Sequence, residues 1–281
     1  VFRCLSWLWI AVGFCACATP ADLPPPAPQI DDAAHVGGKG DGYGDGEVCT
    51  ITLCLTGAMN HQTPSNTFFR EMCEDPRIEG VHFDCHGEVC NSTFDSFLQF
   101  PLLTVYPALT DALDRNGDGR VDGQDPVCHV NLIGFSWGGV NALSVAGHLN
   151  RDQSIPKSHR RVRHAVLLDA FQPLSAGRMT VPENVDSVLS MRHSIAPDDD
   201  CSRGAPLGPY LGFAPRCGSG QDCQDYDYSL APETLFRDAR GWSVWGDGIG
   251  HCHVPGVAHE NVVSFVNDRP MTDRLPPRTT D

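Results

Sequence analysis

The chain has 281 residues, 41% of them hydrophobic, enough for one sizeable core. Its 20 basic residues against 35 acidic ones leave a net charge of −15, which argues against nucleic acid and anionic membrane surfaces as partners. At the N-terminus Arg3 precedes an apolar stretch from Leu5 to Phe14, too short for a stable bilayer anchor. Ala16-Cys17-Ala18 then supplies small residues for cleavage after Ala18, so residues 1–18 read as an export signal. Phe14-Cys15-Ala16-Cys17 also resembles a degenerate lipobox, and in that alternative Cys17 is lipidated and tethers the protein to a membrane. Residues 19–47 read as a linker, stiff at Pro24-Pro25-Pro26 and flexible through the Gly/Asp run from Gly37.

From 48 onward the pattern alternates. Residues 48–55 predict a strand, 64–73 a helix, 78–84 a strand and 93–113 a helix. A strand over 128–133 and a helix over 140–149 follow, then strands at 162–168 and 185–191. Residues 242–245 predict the last strand and 257–266 a closing helix, with 269–281 as a tail. Strands alternating with helices imply a single α/β domain over 48–268, its mostly parallel sheet covered on both faces. Removing the leader takes Cys4, Cys15 and Cys17 from the thirteen cysteines and leaves ten. An even, high number behind an export signal implies disulfides and a secreted or cell-envelope location, with connectivity open. No C-x-x-C pair stands where zinc would need it.

The most informative segment is Gly134-Phe135-Ser136-Trp137-Gly138-Gly139, between the predicted strand and helix. A serine there, with glycine two residues to either side, is a nucleophile elbow. The turn is so tight that side chains at 134 and 138 would collide, and Ser136 Oγ is raised at a helix N-terminus that favours developing negative charge. A serine nucleophile needs a base. His251, just past the last predicted strand between flanking glycines, is the first choice, with His253 and His259 as alternatives; the other histidines carry no comparable context. The imidazole in turn needs a carboxylate. Asp169 ends an apolar strand, where an unpaired charge is costly, and the competitor is the run Asp198-Asp199-Asp200.

On the elbow and the chain order Ser…Asp…His, residues 48–268 resemble the α/β-hydrolase superfamily, in particular its secreted esterases and lipases. The resemblance implies a serine hydrolase acting on small-molecule or lipid esters. Its oxyanion hole would be made by the N–H of Trp137 and one from the loop after the first strand, placed by the resemblance at Ala58. This chain has Thr56-Gly57 where many members have His-Gly, and many members carry the acid one strand later than Asp169. An acyltransferase or amidase would use the same parts. The rival class is a non-catalytic extracellular binding protein on the same scaffold. Residues 201–240, with three cysteines and several prolines and tyrosines, read as a stapled loop or lid. Oligomeric state is not legible.

A second motif stands just before the elbow strand. Residues 114–125 match a twelve-residue EF-hand loop: Asp114, Asn116, Asp118, Asp122 and Asp125 place oxygen donors at positions 1, 3, 5, 9 and 12. Gly119 occupies the turn at position 6, and Arg120 would contribute its carbonyl. Aspartate at position 12 makes the loop similar to those of dockerins. The expected ligand is a structural calcium ion that clamps the helix to the elbow strand.

Overall fold

A computed structural model describes residues 49–56, 64–79, 81–84, 105–171, 179–194, 212–230 and 250–272. The leader, the linker, the expected strand at 242–245 and most of the tail lie outside these residues. No helix among the described residues is long and apolar enough to cross a membrane.

The core is a six-stranded sheet in the order β2-β1-β3-β4-β6-β8, every pairing parallel. Its strands are β1 (Thr50–Leu55), β2 (Val81–Asp84), β3 (His129–Phe135), β4 (Val162–Leu168), β6 (Val185–Arg192) and β8 (Asp222–Asp227). A separate two-stranded pair joins β5 (Met179–Thr180) to β7 (Pro215–Arg216). The α-helices among the described residues are α1 (Pro64–Cys73), α2 (Val105–Leu113), α3 (Trp137–Arg151) and α4 (Val254–Val266).

Side-chain alternation divides the sheet between two cores. Ile51, Leu53, Val130, Leu132, Ala165 and Leu167 pack with α2 and α3 on one face. Cys54, Ile133, Phe135, Val166, Leu168, Leu189 and Met191 pack with α1 and α4 on the other. Strands buried on both faces favour apolar residues, which is why the carboxyl ends of β1, β3 and β4 are legible as apolar runs, whereas β6 also carries Asp186, Ser187, Ser190 and Arg192. This is an α/β architecture, with the parallel sheet and two helical layers that the alternation implies.

Two expectations need correction. Residues 222–227, placed within a stapled loop, form the sheet's edge strand β8. Its sequence, Asp-Cys-Gln-Asp-Tyr-Asp, is tolerated because an edge strand is only half covered, and because Arg192 on β6 pairs with Asp225 and Asp227. The helix expected at 140–149 begins at Trp137, so Gly138 and Gly139 belong to its first turn while Gly134 belongs to β3.

Three disulfides join described cysteines. Cys54–Cys73 ties β1 to the end of α1, and Cys217–Cys223 closes a short turn leading into β8. Cys49–Cys128 joins the residues that precede β1 and β3, and the His129 N–H donates to the Cys49 carbonyl beside it. Closing a loop of 79 residues stabilises by about 4.5 kcal/mol in chain-entropy terms. Disulfides in this number fit an extracellular or otherwise oxidising environment.

Candidate active site

The elbow follows from close packing at the carboxyl end of the sheet. A Cβ on Gly134 would come within 2.4 Å of the Gly138 carbonyl oxygen, and one on Gly138 within 2.0 Å of the Leu55 carbonyl oxygen. The collisions are therefore with backbone rather than between two side chains, and they seat the start of α3 directly on the end of β1. Ser136 adopts φ 56°, a left-handed conformation that costs a non-glycine residue free energy and recurs at functional sites. Its N–H donates to the Leu168 carbonyl, which pins the elbow to the end of β4.

The residue after Leu168 is Asp169, also left-handed at φ 46° and with no exposed surface. Its N–H donates to the Met191 carbonyl, so the end of β4 is tied to the end of β6. His251 opens a short 3-10 turn, residues His251–His253, that runs into α4. Its ring packs on Phe135, with centroids 4.9 Å apart.

These three side chains form one hydrogen-bonded chain. His251 Nδ1 bonds to Asp169 Oδ2, and His251 Nε2 lies 3.0 Å from Ser136 Oγ. An ionised carboxylate only accepts, so the ring proton belongs on Nδ1, and Nε2 is left to accept from the serine hydroxyl. Burial alone would raise the Asp169 pKa. The interactions with His193 and then His251 outweigh it and hold the carboxyl below its usual range, ionised at neutral pH.

The structure brings together Ser136, His251 and Asp169, and leaves His259 elsewhere. His259 Nε2 lies 2.8 Å from Asp75 Oδ2, in a network with Arg77 and Glu260 that ties α4 to the turn after α1. His253, two residues past His251, is half-buried. Asp198, Asp199 and Asp200 lie outside the described residues, as does Ala58. Trp137 is the first residue of α3, and Gly138 beside it lies against the Leu55 carbonyl at the end of β1.

Sequence reasoning missed His193. It is fully buried one residue past the end of β6, its N–H donates to Asp169 Oδ1 at 2.9 Å, and its Nδ1 lies 2.8 Å from Asp169 Oδ2. The signal that points to it is positional. In a parallel sheet the residue just past a strand's carboxyl end faces the site, and His193 stands to β6 as Asp169 stands to β4. Asp169, His193 and His251 have ligand atoms within 4.8 Å of one another. Two zinc ligands in tetrahedral geometry stand about 3.3 Å apart. The 2.8 Å separation at Asp169 Oδ2 is shorter than that spacing and is the distance of a direct imidazole–carboxylate contact.

The 114–125 loop is folded around its own carboxylates. Asp114 Oδ1 accepts from the N–H groups of Gly117 and Asp118, and its Oδ2 accepts from Gly119. Asn116, Asp118 and Asp122 each accept from the N–H two residues on. Asp125, buried at the loop's end, accepts from Arg115, Asn116 and Asp122, while its carbonyl meets His159 Nε2 at 3.1 Å. Gly119 takes φ 87°, the conformation expected of glycine at position 6.

No protein-family model matches the chain, and no curated protein matches it. Among solved structures it is similar to a dienelactone hydrolase-like promiscuous phosphotriesterase from metagenomic libraries. The TM-score is 0.36 and the identity 14%, with 79% of this chain and 87% of that chain covered. A likeness of that degree bears on neither substrate nor mechanism.

Proposed function

We propose that the protein is a secreted or surface-tethered serine hydrolase that cleaves carboxylic esters of small molecules or lipids. The observation that carries this is the hydrogen-bonded chain Ser136–His251–Asp169 with its serine on a left-handed elbow. In this reading Ser136 Oγ attacks the ester carbonyl while His251 Nε2 takes the hydroxyl proton. Asp169 stays ionised, keeps the imidazole in the required tautomer and stabilises the imidazolium that forms. The oxyanion develops at the N-terminus of α3, where the Trp137 N–H and, by resemblance, that of Ala58 donate to it. His251 then protonates the leaving alcohol, and the same residues activate water to release the acyl group from Ser136.

Calcium belongs to the same proposal as a structural ion. Asp114, Asn116, Asp118, Asp122 and Asp125 offer hard oxygen donors, with the Arg120 carbonyl at position 7, and the turn at Gly119 suits such a loop. The ion would supply rigidity where the chain passes from α2 to β3, and none of the steps above uses it. The export signal at 1–18, the linker at 19–47 and a lipid tether at Cys17 complete the reading, supported by the disulfides of the domain.

The test is labelling by a fluorophosphonate probe together with a panel of esters of graded chain length. Wild type is expected to label and turn over, and Ser136→Ala to fold, not label, and lose on the order of 10⁴–10⁶ in turnover. A folded Ser136→Ala with wild-type esterase activity would refute the assignment. Labelling at Ser136 without hydrolysis of any ester in the panel would redirect the reading to an amidase or acyltransferase. No labelling at all would favour a non-catalytic binding protein.

A further inference from the structure

His193 is not needed for the three-residue chain described above, yet it is buried against Asp169 as completely as any residue of the fold. Two of its nitrogens meet that carboxylate: the backbone N–H donates to Oδ1, and ring Nδ1 stands 2.8 Å from Oδ2 in an ion-pair contact. Its backbone is itself held from three directions. The β6–β8 register pairs Met191 with Tyr226 and Arg192 with Asp227 on its N-terminal side. The Ser194 N–H, on the other side, donates to Ser229 Oγ at 2.8 Å and lies 3.2 Å from Asp227 Oδ1. The Gly212 N–H donates to the His193 carbonyl, and Gly212 presses on the carboxylate: a Cβ there would stand 2.3 Å from Asp169 Oδ1.

Asp169 Oδ2 thus bonds to His251 and has the His193 ring pressed against it, while Oδ1 is fixed by a backbone donor that cannot rotate away. A lone buried carboxylate can swing about its side-chain torsions, and a 1 Å displacement of a catalytic partner can cost about a hundredfold in rate. We propose that His193 is a positioning residue of this site: its ring and its own backbone N–H together lock the Asp169 carboxylate in the orientation that aims it at His251 Nδ1. The inference rests on the serine-hydrolase reading. The titratable groups packed against Asp169 are His251 and His193, and the neighbouring Arg192 is paired to Asp225 and Asp227.

The experiment compares full-length wild type with His193→Leu, His193→Asn and His193→Gln. It measures kcat and KM on a chromogenic ester, per active site titrated by a phosphonate, across pH. Leucine fills the space without a donor, asparagine sets an amide nitrogen near the position of Nδ1, and glutamine sets one near Nε2. His193→Leu is expected to lower kcat about 10- to 100-fold with KM within about twofold. The His193 contact holds the Asp169 pKa down, so without it the Asp169 carboxylate should take up its proton at higher pH. The acidic limb of the profile therefore moves upward in pH in His193→Leu. His193→Asn should recover most of both losses, and His193→Gln should not.

A merely structural role would lower the melting temperature and the fraction of titratable sites, leaving kcat per site and the acidic limb where they were. That result overturns the proposal. Should His193→Leu fail to fold, asparagine against glutamine decides, and equal kcat and equal limbs in the two overturn it. Because Ser136→Ala is assayed beside them, an active Ser136→Ala condemns the hydrolase reading itself. An inactive Ser136→Ala with a wild-type-like His193→Leu condemns only the role of His193.

Discussion

Replacing Asp169 by asparagine changes one atom in a fully buried site, and the consequence can be worked from its surroundings. Oδ1 accepts a backbone N–H from His193, a donor that cannot turn away, so the asparagine carbonyl must take that place. The amide NH₂ then faces the imidazoles, and His251 can meet it only by accepting at Nδ1. That tautomer carries its proton on Nε2, 3.0 Å from Ser136 Oγ, where the serine proton has to go. The base is lost although every heavy atom stays in position. A wrong tautomer costs about 10⁴ in kcat, or about 5.4 kcal/mol of barrier. The assay is the initial rate on a chromogenic ester at saturating concentration, normalised to folded protein by near-ultraviolet circular dichroism, with Asp198→Asn in parallel. Asp169→Asn is expected to stay folded and nearly inactive, and Asp198→Asn to keep wild-type activity within about threefold. Asp169→Asn within tenfold of wild type, with Asp198→Asn down a thousandfold, would refute the reasoning and move the acid to the later loop.

Ser136→Gly should be more stable than Ser136→Ala by about 1 kcal/mol, because φ 56° strains alanine and not glycine; equal melting temperatures would show that the elbow stores no strain. If the 114–125 loop holds calcium, a hundredfold excess over the dissociation constant stabilises by about 2.7 kcal/mol, so chelation lowers the melting temperature. Asp114→Ala with Asp118→Ala should abolish that response, and a double mutant that still responds would place the ion elsewhere. Burial of His164 lowers its pKa from 6.5 to about 4, so between those values the unfolded chain binds more protons than the fold. Stability is therefore lost as pH falls through that window and levels off below it. His164→Leu should flatten this slope in urea titrations, and an unchanged slope would assign it to other groups.

What was legible in the chain follows from how locally each feature is determined. The elbow is written in the local pattern of a serine with glycine two residues to either side, and it was plain in six residues, although what demands Gly138 is the distant Leu55 carbonyl. Asp169 was readable because a charge closing the run Val-Leu-Leu needs a partner wherever the strand ends up. His251 was less determined, since two other histidines stand within eight residues and only its long-range bonds to Asp169 and Ser136 set it apart. The strand β8 was misread because its carboxylates look like loop until Arg192, 33 and 35 residues before Asp225 and Asp227, is set opposite them. His193 escaped for the same reason. Its chemistry comes from a carboxylate on the neighbouring strand, a relation with no period or motif in the sequence.

The cystine between Cys49 and Cys128 has an evolutionary consequence. It fastens, at the end remote from Ser136, the two strands that carry the elbow and its floor, and β1–β3 pairing fastens the rest. Everything between them, from α1 through β2 and α2 to the acidic loop, is a covalently closed ring. In an open chain, lengthening such a segment costs about 0.6 kcal/mol of closure entropy per doubling. Inside a ring already closed in both folded and unfolded states, most of that cost cancels. New segments can enter the ring without disturbing the register of the strand that presents the serine, which makes this crossover the place where the molecule can take on foreign loops while keeping its chemistry.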